Sequence, residues 1–331
     1  MARKYSKAFY NALDTMLLTE QGVTPTGGED SFVRAFGSSS ALIGVFDGCG
    51  GLGSRAYPSL SGRTGAYVAS RTASGAVYDW FEALQDEPFP APDDMLASLR
   101  ARLDTGFGIV SANAGSTLRV RGSMVRDFPT TAAIAVAQED KKQGLLVHVI
   151  WAGDSRVYLL DQDGLAQLTE DDLGGEDAMS NLSHDSALTN VLSSDGTYQL
   201  HYKCFRVERP TVFFAATDGV FGYVQSPMEF EWMLLRVLGA SESPELFEAR
   251  LKSVLSEVAG DDFAFAMMSF YFGSFDVLRH SFENRARLLE QRYVRPLRAA
   301  RTEELVQEFW QEYRVSYERH LLETQEAQDG C

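Results

Sequence analysis

The chain has 331 residues, 45% of them apolar, enough to bury one large core or two small ones. Thirty Lys and Arg face 46 Asp and Glu, and the resulting net charge of −16 repels nucleic-acid phosphates and anionic lipid headgroups. Both are therefore excluded as expected partners, and a phosphate-ester substrate would need local positive charge, which a bound metal could supply. The three cysteines, Cys49, Cys204 and Cys331, are an odd and sparse set that fits a reducing compartment rather than a disulfide framework. No apolar run reaches the roughly 18 to 20 residues that span a bilayer. The N-terminus MARKYSKAFYNALDTMLLTE has no continuous apolar stretch of the signal-peptide kind, so a cytoplasmic protein is expected.

SFVRAF and ALIGVF, separated by the turn-forming GSSS, predict two strands within residues 31–46. Apolar residues three and four apart predict helices over about 54–84 and about 94–118, the second carrying Met95, Leu96, Leu99, Leu103, Phe107 and Val110 on one face. TTAAIAVA and LLVHVIWAG read as strands, and SRVYLLDQDGLAQLT as a hairpin around Asp163-Gly164. Residues 170–200 are polar and predict a long functional loop with a short helix. TVFFAATDG predicts a further strand, helices follow near 227–239 and 243–258, and FAFAMMSFYF is the last strand. Beyond residue 275 an apolar stripe of Leu305, Phe309, Tyr313 and Tyr317 predicts a helical extension, divided by Pro296. The expected domains are thus 1–275 and 276–331.

VFDGCGG, residues 45–51, supports two chemistries. Asp47 can be an acidic ligand at a strand end. Alternatively, Cys49 opens CGGLGSR, in which a thiolate and Arg55 could hold and attack a phosphate, although Gly48 stands where such cysteines commonly have a histidine. Asp47 and Asp218 each end an apolar strand before a glycine, and Asp261 begins one; Glu29-Asp30 precedes the first strand read above. Carboxylates converging from strand ends repel one another, and a hard divalent cation such as Mg²⁺ or Mn²⁺ relieves that repulsion.

Taken in order, Glu29-Asp30, VFDGCGG, PTTAAIAV, WAGDSRVYLL, ATDG and GDDFAFAMMSF resemble the metal-dependent type 2C serine/threonine protein phosphatases over about residues 20–272. The resemblance implies an α+β, four-layer α-β-β-α sandwich of two mainly antiparallel sheets. It implies two divalent ions, Mn²⁺ or Mg²⁺, bridged by Asp47, with Asp218 and Asp261 on one. The Gly48 carbonyl, water, Glu29 and Asp30 would serve the other. Asp47 and Asp218 are the expected catalytic centre, Asp127 an expected ligand of a third, weaker ion, and a phosphorylated protein the expected substrate, cleaved by a water between the metals.

Two positions depart from the pattern. Cys49 stands where animal members have a histidine acid, which is similar to the bacterial branch, and Pro25 stands where the family often has a phosphate-binding arginine. A catalytically silent phosphoprotein-binding module is therefore the first alternative, and the Cys49–Arg55 phosphatase the second. Asp154 and Arg156 read as structural hairpin residues, Trp151 and Tyr158 as core, His148 as a satisfied strand histidine and His184 as a solvent-facing loop residue. The C-terminal stripe is expected to pack on this chain, with docking of a partner by those helices as the alternative.

Overall fold

The computed structural model describes residues 5–22, 28–84, 89–115, 127–140, 144–174, 179 and 187–321. Pro25 and His184, like the short helix expected in the 170–200 loop apart from Met179, lie outside them.

Two five-stranded antiparallel sheets stack face to face. The first joins β1 (Leu13–Gln21), β12 (Phe263–Phe270), β11 (Thr211–Ala216), β8 (Arg156–Asp161) and β9 (Gly164–Gln167), in that order. The second joins β10 (His201–Val207), β7 (Leu145–Ala152), β6 (Ala132–Glu139), β3 (Ser40–Phe46) and β2 (Ser31–Phe36). Side chains alternate between faces along a strand. Ile43, Val45, Ala133 and Ala135 thus face the other sheet's Phe213, Ala215, Ala264 and Met268, while Leu42, Phe46, Ile134 and Val136 point outward. Those outward residues meet α3 (Gly65–Leu84) and α4 (Pro92–Ala114) through Trp80, Phe81, Leu99 and Leu103. The opposite outer face is covered by α6 (Pro227–Gly239) and α7 (Pro244–Val258). The expected four-layer α-β-β-α sandwich is the observed one.

The helix expected from residue 54 begins only at Gly65. Pro58 and Gly62 interrupt it: α2 (Gly50–Gly53) is followed by β4 (Ala56–Tyr57), a tight turn and β5 (Arg63–Thr64), with Ser61 and Gly62 both left-handed at φ 59° and 71°. Among the described residues, β1 and β10 are elements the sequence pattern did not reveal.

The C-terminal helices pack on the protein itself. A run of α8 (Phe275–Ser281), α9 (Glu283–Leu289), a π-turn over Glu290–Val294 and α10 (Arg295–Ala299) passes through Pro296 without breaking. The wider π-turn lies just where proline withholds an N–H donor. The division falls instead at Ala300, after which Thr302 caps α11 (Glu303–Tyr317) by accepting from the Leu305 N–H. Phe309, Trp310, Tyr313 and Tyr317 join the core beneath α6 and the first sheet. At its centre Glu231 of α6, 1% exposed, accepts a two-pronged bond from Arg285 (2.8 and 2.8 Å), the Tyr313 hydroxyl (2.7 Å) and the Leu165 N–H (3.2 Å).

Candidate active site

The end of β3 delivers Asp47 into a glycine turn that the Thr-Thr segment holds from below. Thr130 Oγ1 and the Thr131 N–H both donate to the Asp47 carbonyl, at 2.6 and 2.8 Å, and the Asp47 N–H donates to Thr131 Oγ1 at 3.2 Å. Gly48 is required for close approach: a Cβ there would stand 2.6 Å from the Ala66 carbonyl and 2.7 Å from that of Glu29. Thr130 also exchanges backbone bonds with Leu192, so the 187–200 segment is stitched to the same turn.

Asp218 opens α5 (Asp218–Phe221) directly after β11. Gly219 lets that turn press against the neighbouring strand, since a Cβ would lie 1.9 Å from the Asp262 carbonyl. Asp262 in turn accepts from the Glu29 N–H at 2.5 Å, which positions the Glu29-Asp30 pair. That bond needs only an acceptor oxygen, so aspartate in place of the family's asparagine keeps it. Arg71 braces the same segment from α3, donating to the carbonyls of Gly28 (2.8 Å) and Glu29 (3.1 Å) while stacking 3.7 Å over the Tyr67 ring.

Asp30, Asp47, Asp154 and Asp218 converge. Burial first, then the neighbouring carboxylates, push Asp30 and Asp47 well above the usual carboxylate range, and the two share a hydrogen bond. Burial and Asp218 raise Asp154 to about 8, and burial and Asp261 raise Asp218 to about 6. Glu29 is raised mainly by burial, with Asp262 and Asp261 adding to it. Asp30 Oδ2 and Asp154 Oδ1 are buried without a hydrogen-bond partner. Lone carboxylate oxygens in so acidic a recess are starved of positive charge. An oxygen-only donor set of this kind fits a hard divalent cation. Among the described residues no three His, Cys, Asp or Glu side chains already stand in a closed ligand group, so the carboxylates would have to draw together around an ion.

Asp154 is the residue that sequence reasoning misplaced. Only Arg156 keeps the structural role: 1% exposed, it binds Asp171 at 2.9 and 2.6 Å and lies 4.2 Å over the Phe221 ring. Asp154 instead joins the acidic recess, brought there by the turn between β7 and β8. Asp127 receives the Tyr57 hydroxyl at 2.6 Å, which occupies one of its oxygens. His148 is the satisfied strand histidine expected, between Gln138 (2.9 Å) and the Tyr202 hydroxyl (2.8 Å).

The thiol reading finds no support in the geometry. Cys49 is 8% exposed, and burial with the surrounding aspartates pushes its thiol up, whereas a nucleophilic cysteine needs a depressed value. Arg55 is exposed and stacks 4.9 Å over Tyr57. The α2 turn is four residues long.

No curated protein matches the sequence significantly. Three solved structures illustrate the fold likeness. PppA, titled a key regulatory component of T6SS in Pseudomonas aeruginosa, is 18% identical with a TM-score of 0.55, over 78% of this chain and 97% of that one. The Mycobacterium tuberculosis serine/threonine phosphatase PstP/Ppp is 20% identical with a TM-score of 0.52, over 78% and 98%. Stp1, a serine/threonine phosphatase of Staphylococcus aureus, is 17% identical with a TM-score of 0.56, over 78% and 97%. The Protein phosphatase 2C family profile matches residues 27–256, a span that contains Glu29, Asp30, Asp47, Asp154 and Asp218. The chain therefore belongs to the protein phosphatase 2C family, a metal-dependent family of serine/threonine phosphatases.

Proposed function

We propose that this protein hydrolyses phosphoserine and phosphothreonine in protein substrates, using divalent cations held in the acidic recess. The observation that carries the reading is the convergence of Asp30, Asp47, Asp154 and Asp218, with two buried oxygens left unpartnered, in a member of this family. Asp47 and Asp218 would be its centre. Asp261, Glu29, Asp30 and the Gly48 carbonyl would complete the oxygen donors, Asp154 would add to the field, and Asp127 would serve a third ion after releasing Tyr57. Two ions, Mn²⁺ or Mg²⁺, would supply an acidified water and positive charge for the phosphoryl oxygens. Thr130 and Thr131 fix the Asp47 backbone, Arg71 and Asp262 fix the Glu29-Asp30 segment, and the glycines at 48 and 219 admit the backbone approaches. On this reading residues 1–275 carry the activity and 276–331 support it.

The test is hydrolysis of a phosphothreonine peptide with Mn²⁺, with chelator, and by Asp218→Asn and Cys49→Ser variants. Loss with chelator and in Asp218→Asn, with Cys49→Ser active, supports the assignment; turnover that survives chelator and vanishes in Cys49→Ser refutes it. A silent phosphoprotein-binding module is the second reading, favoured by Cys49 in the histidine's place. It predicts phosphopeptide binding without turnover at any metal concentration.

A further inference from the structure

At the C-terminal end of α6, where it meets α8 and α9, lies a cavity of about 430 Å³ lined by Arg236, Arg279, Glu283, Arg287 and Glu290. A second cavity of about 310 Å³ adjoins it, sharing Arg236 and Ala240 and adding Arg250 of α7. Neither is lined by a residue of the acidic recess.

Charge in this groove runs against that of the chain. Of its two acids, Glu290 lies 3.4 Å from Arg295, and Glu283 lies 3.7 Å from the His280 ring. Arg279 is paired with Asp276 at 2.7 Å. Among the described residues, Arg236, Arg250 and Arg287 have no carboxylate within ion-pair distance. Arg236, Arg279 and Arg287 each stand in the last turn of a helix, where a cation complements the helix dipole. That accounts for each singly but not for three such ends meeting at one cavity. It does not account for Arg250 at all, which sits mid-helix.

We propose that this groove docks an acidic segment of a protein partner, its carboxylates taken by the unpaired guanidiniums of Arg236, Arg250 and Arg287. The planar fork of arginine matches a carboxylate in two places at once. Two adjoining cavities suit an extended peptide better than a compact anion, which would fill only one. The recess between α6, α8 and α9 suits a chain rather than the flat face of a bilayer. The inference concerns binding alone and does not depend on the phosphatase reading.

The probe is a fluorescein-labelled decapeptide of alternating Glu and Ser, titrated with the full chain and followed by fluorescence anisotropy. At a net charge of −16 the protein should repel it, so saturable binding requires a local basic site. Expected is binding that weakens with salt and falls about ten-fold or more in Arg236→Glu/Arg287→Glu, with the unfolding midpoint and any phosphopeptide turnover unchanged. Arg250→Glu should weaken it too. Because a double reversal can misfold, the exposed Arg287→Gln is the companion variant, expected to weaken binding a few-fold. Equal binding by wild type and the folded variants overturns the proposal. So does absence of peptide binding, or association only with phosphatidylserine vesicles.

Discussion

Removing Arg285 should show whether the C-terminal helices are part of the fold or ornaments on it. In Arg285→Ala the carboxylate of Glu231, 1% exposed, keeps the Tyr313 hydroxyl and the Leu165 N–H but loses its ion-pair partner and two 2.8 Å bonds. Breaking one side of a buried ion pair costs about 3–5 kcal/mol. Against a whole-domain stability of about 5–15 kcal/mol, that is a large fraction. Replacing both partners in Glu231→Gln/Arg285→Met removes the stranded charge, and the loss should shrink to about 1 kcal/mol or less. Urea unfolding followed by tryptophan fluorescence reads both, since Trp232 and Trp310 belong to or pack against this core. A single-variant loss below about 1 kcal/mol would refute the argument, as would a double variant no better than the single.

The other expectations are independent of that one. Burial lowers His148 to about 4, so the native state binds fewer protons than the unfolded chain between that value and the ordinary 6.5. Its contribution is complete above pH 6.5 and is lost as pH falls toward 4, by about 3 kcal/mol in all. His148→Gln should flatten the difference in urea midpoint between pH 7.5 and 4.5; an unchanged slope contradicts this. Gly219→Ala places a methyl 1.9 Å from the Asp262 carbonyl, so it should destabilise the fold by ~2 kcal/mol or more and impair phosphopeptide turnover; wild-type unfolding and activity would show that the turn gives way. Mn²⁺ at a hundred times its dissociation constant should stabilise the protein by about 2.7 kcal/mol, reversed by chelator. Asp218→Asn should lose most of that rise in melting temperature, and an undiminished rise would place the ion elsewhere.

What could be read from the chain follows from burial. β3, β6, β11 and β12 are covered on both faces and appear as unbroken apolar runs. β1 and β10 are edge strands with polar residues interleaved, so LDTMLLTEQ and HYKCFRV carry no such signal. Asp47 and Asp218 were visible because each sits at an abrupt change from apolar to glycine. Asp154 follows a glycine in what reads as a plain hairpin, and nothing local marks its burial beside Asp218 and Asp47. Glu231 lies in a helical pattern that its partner Arg285, 54 residues later, does nothing to mark. Pro296 misled for the opposite reason, since the cue was local and the π-turn absorbed it.

Cys49 has a consequence of its own. It is the free cysteine among the described residues, sealed behind the carboxylate turn by the Pro129 carbonyl, which its N–H meets at 3.3 Å, and by the bonds from Thr130 and Thr131 to Asp47. A thiol in that position works as a clock for the site. Alkylation there proceeds only when the turn opens, so its rate, read by mass spectrometry at this one position, counts openings that a static picture averages away. Cations that close the recess should slow the clock without touching the sulfur.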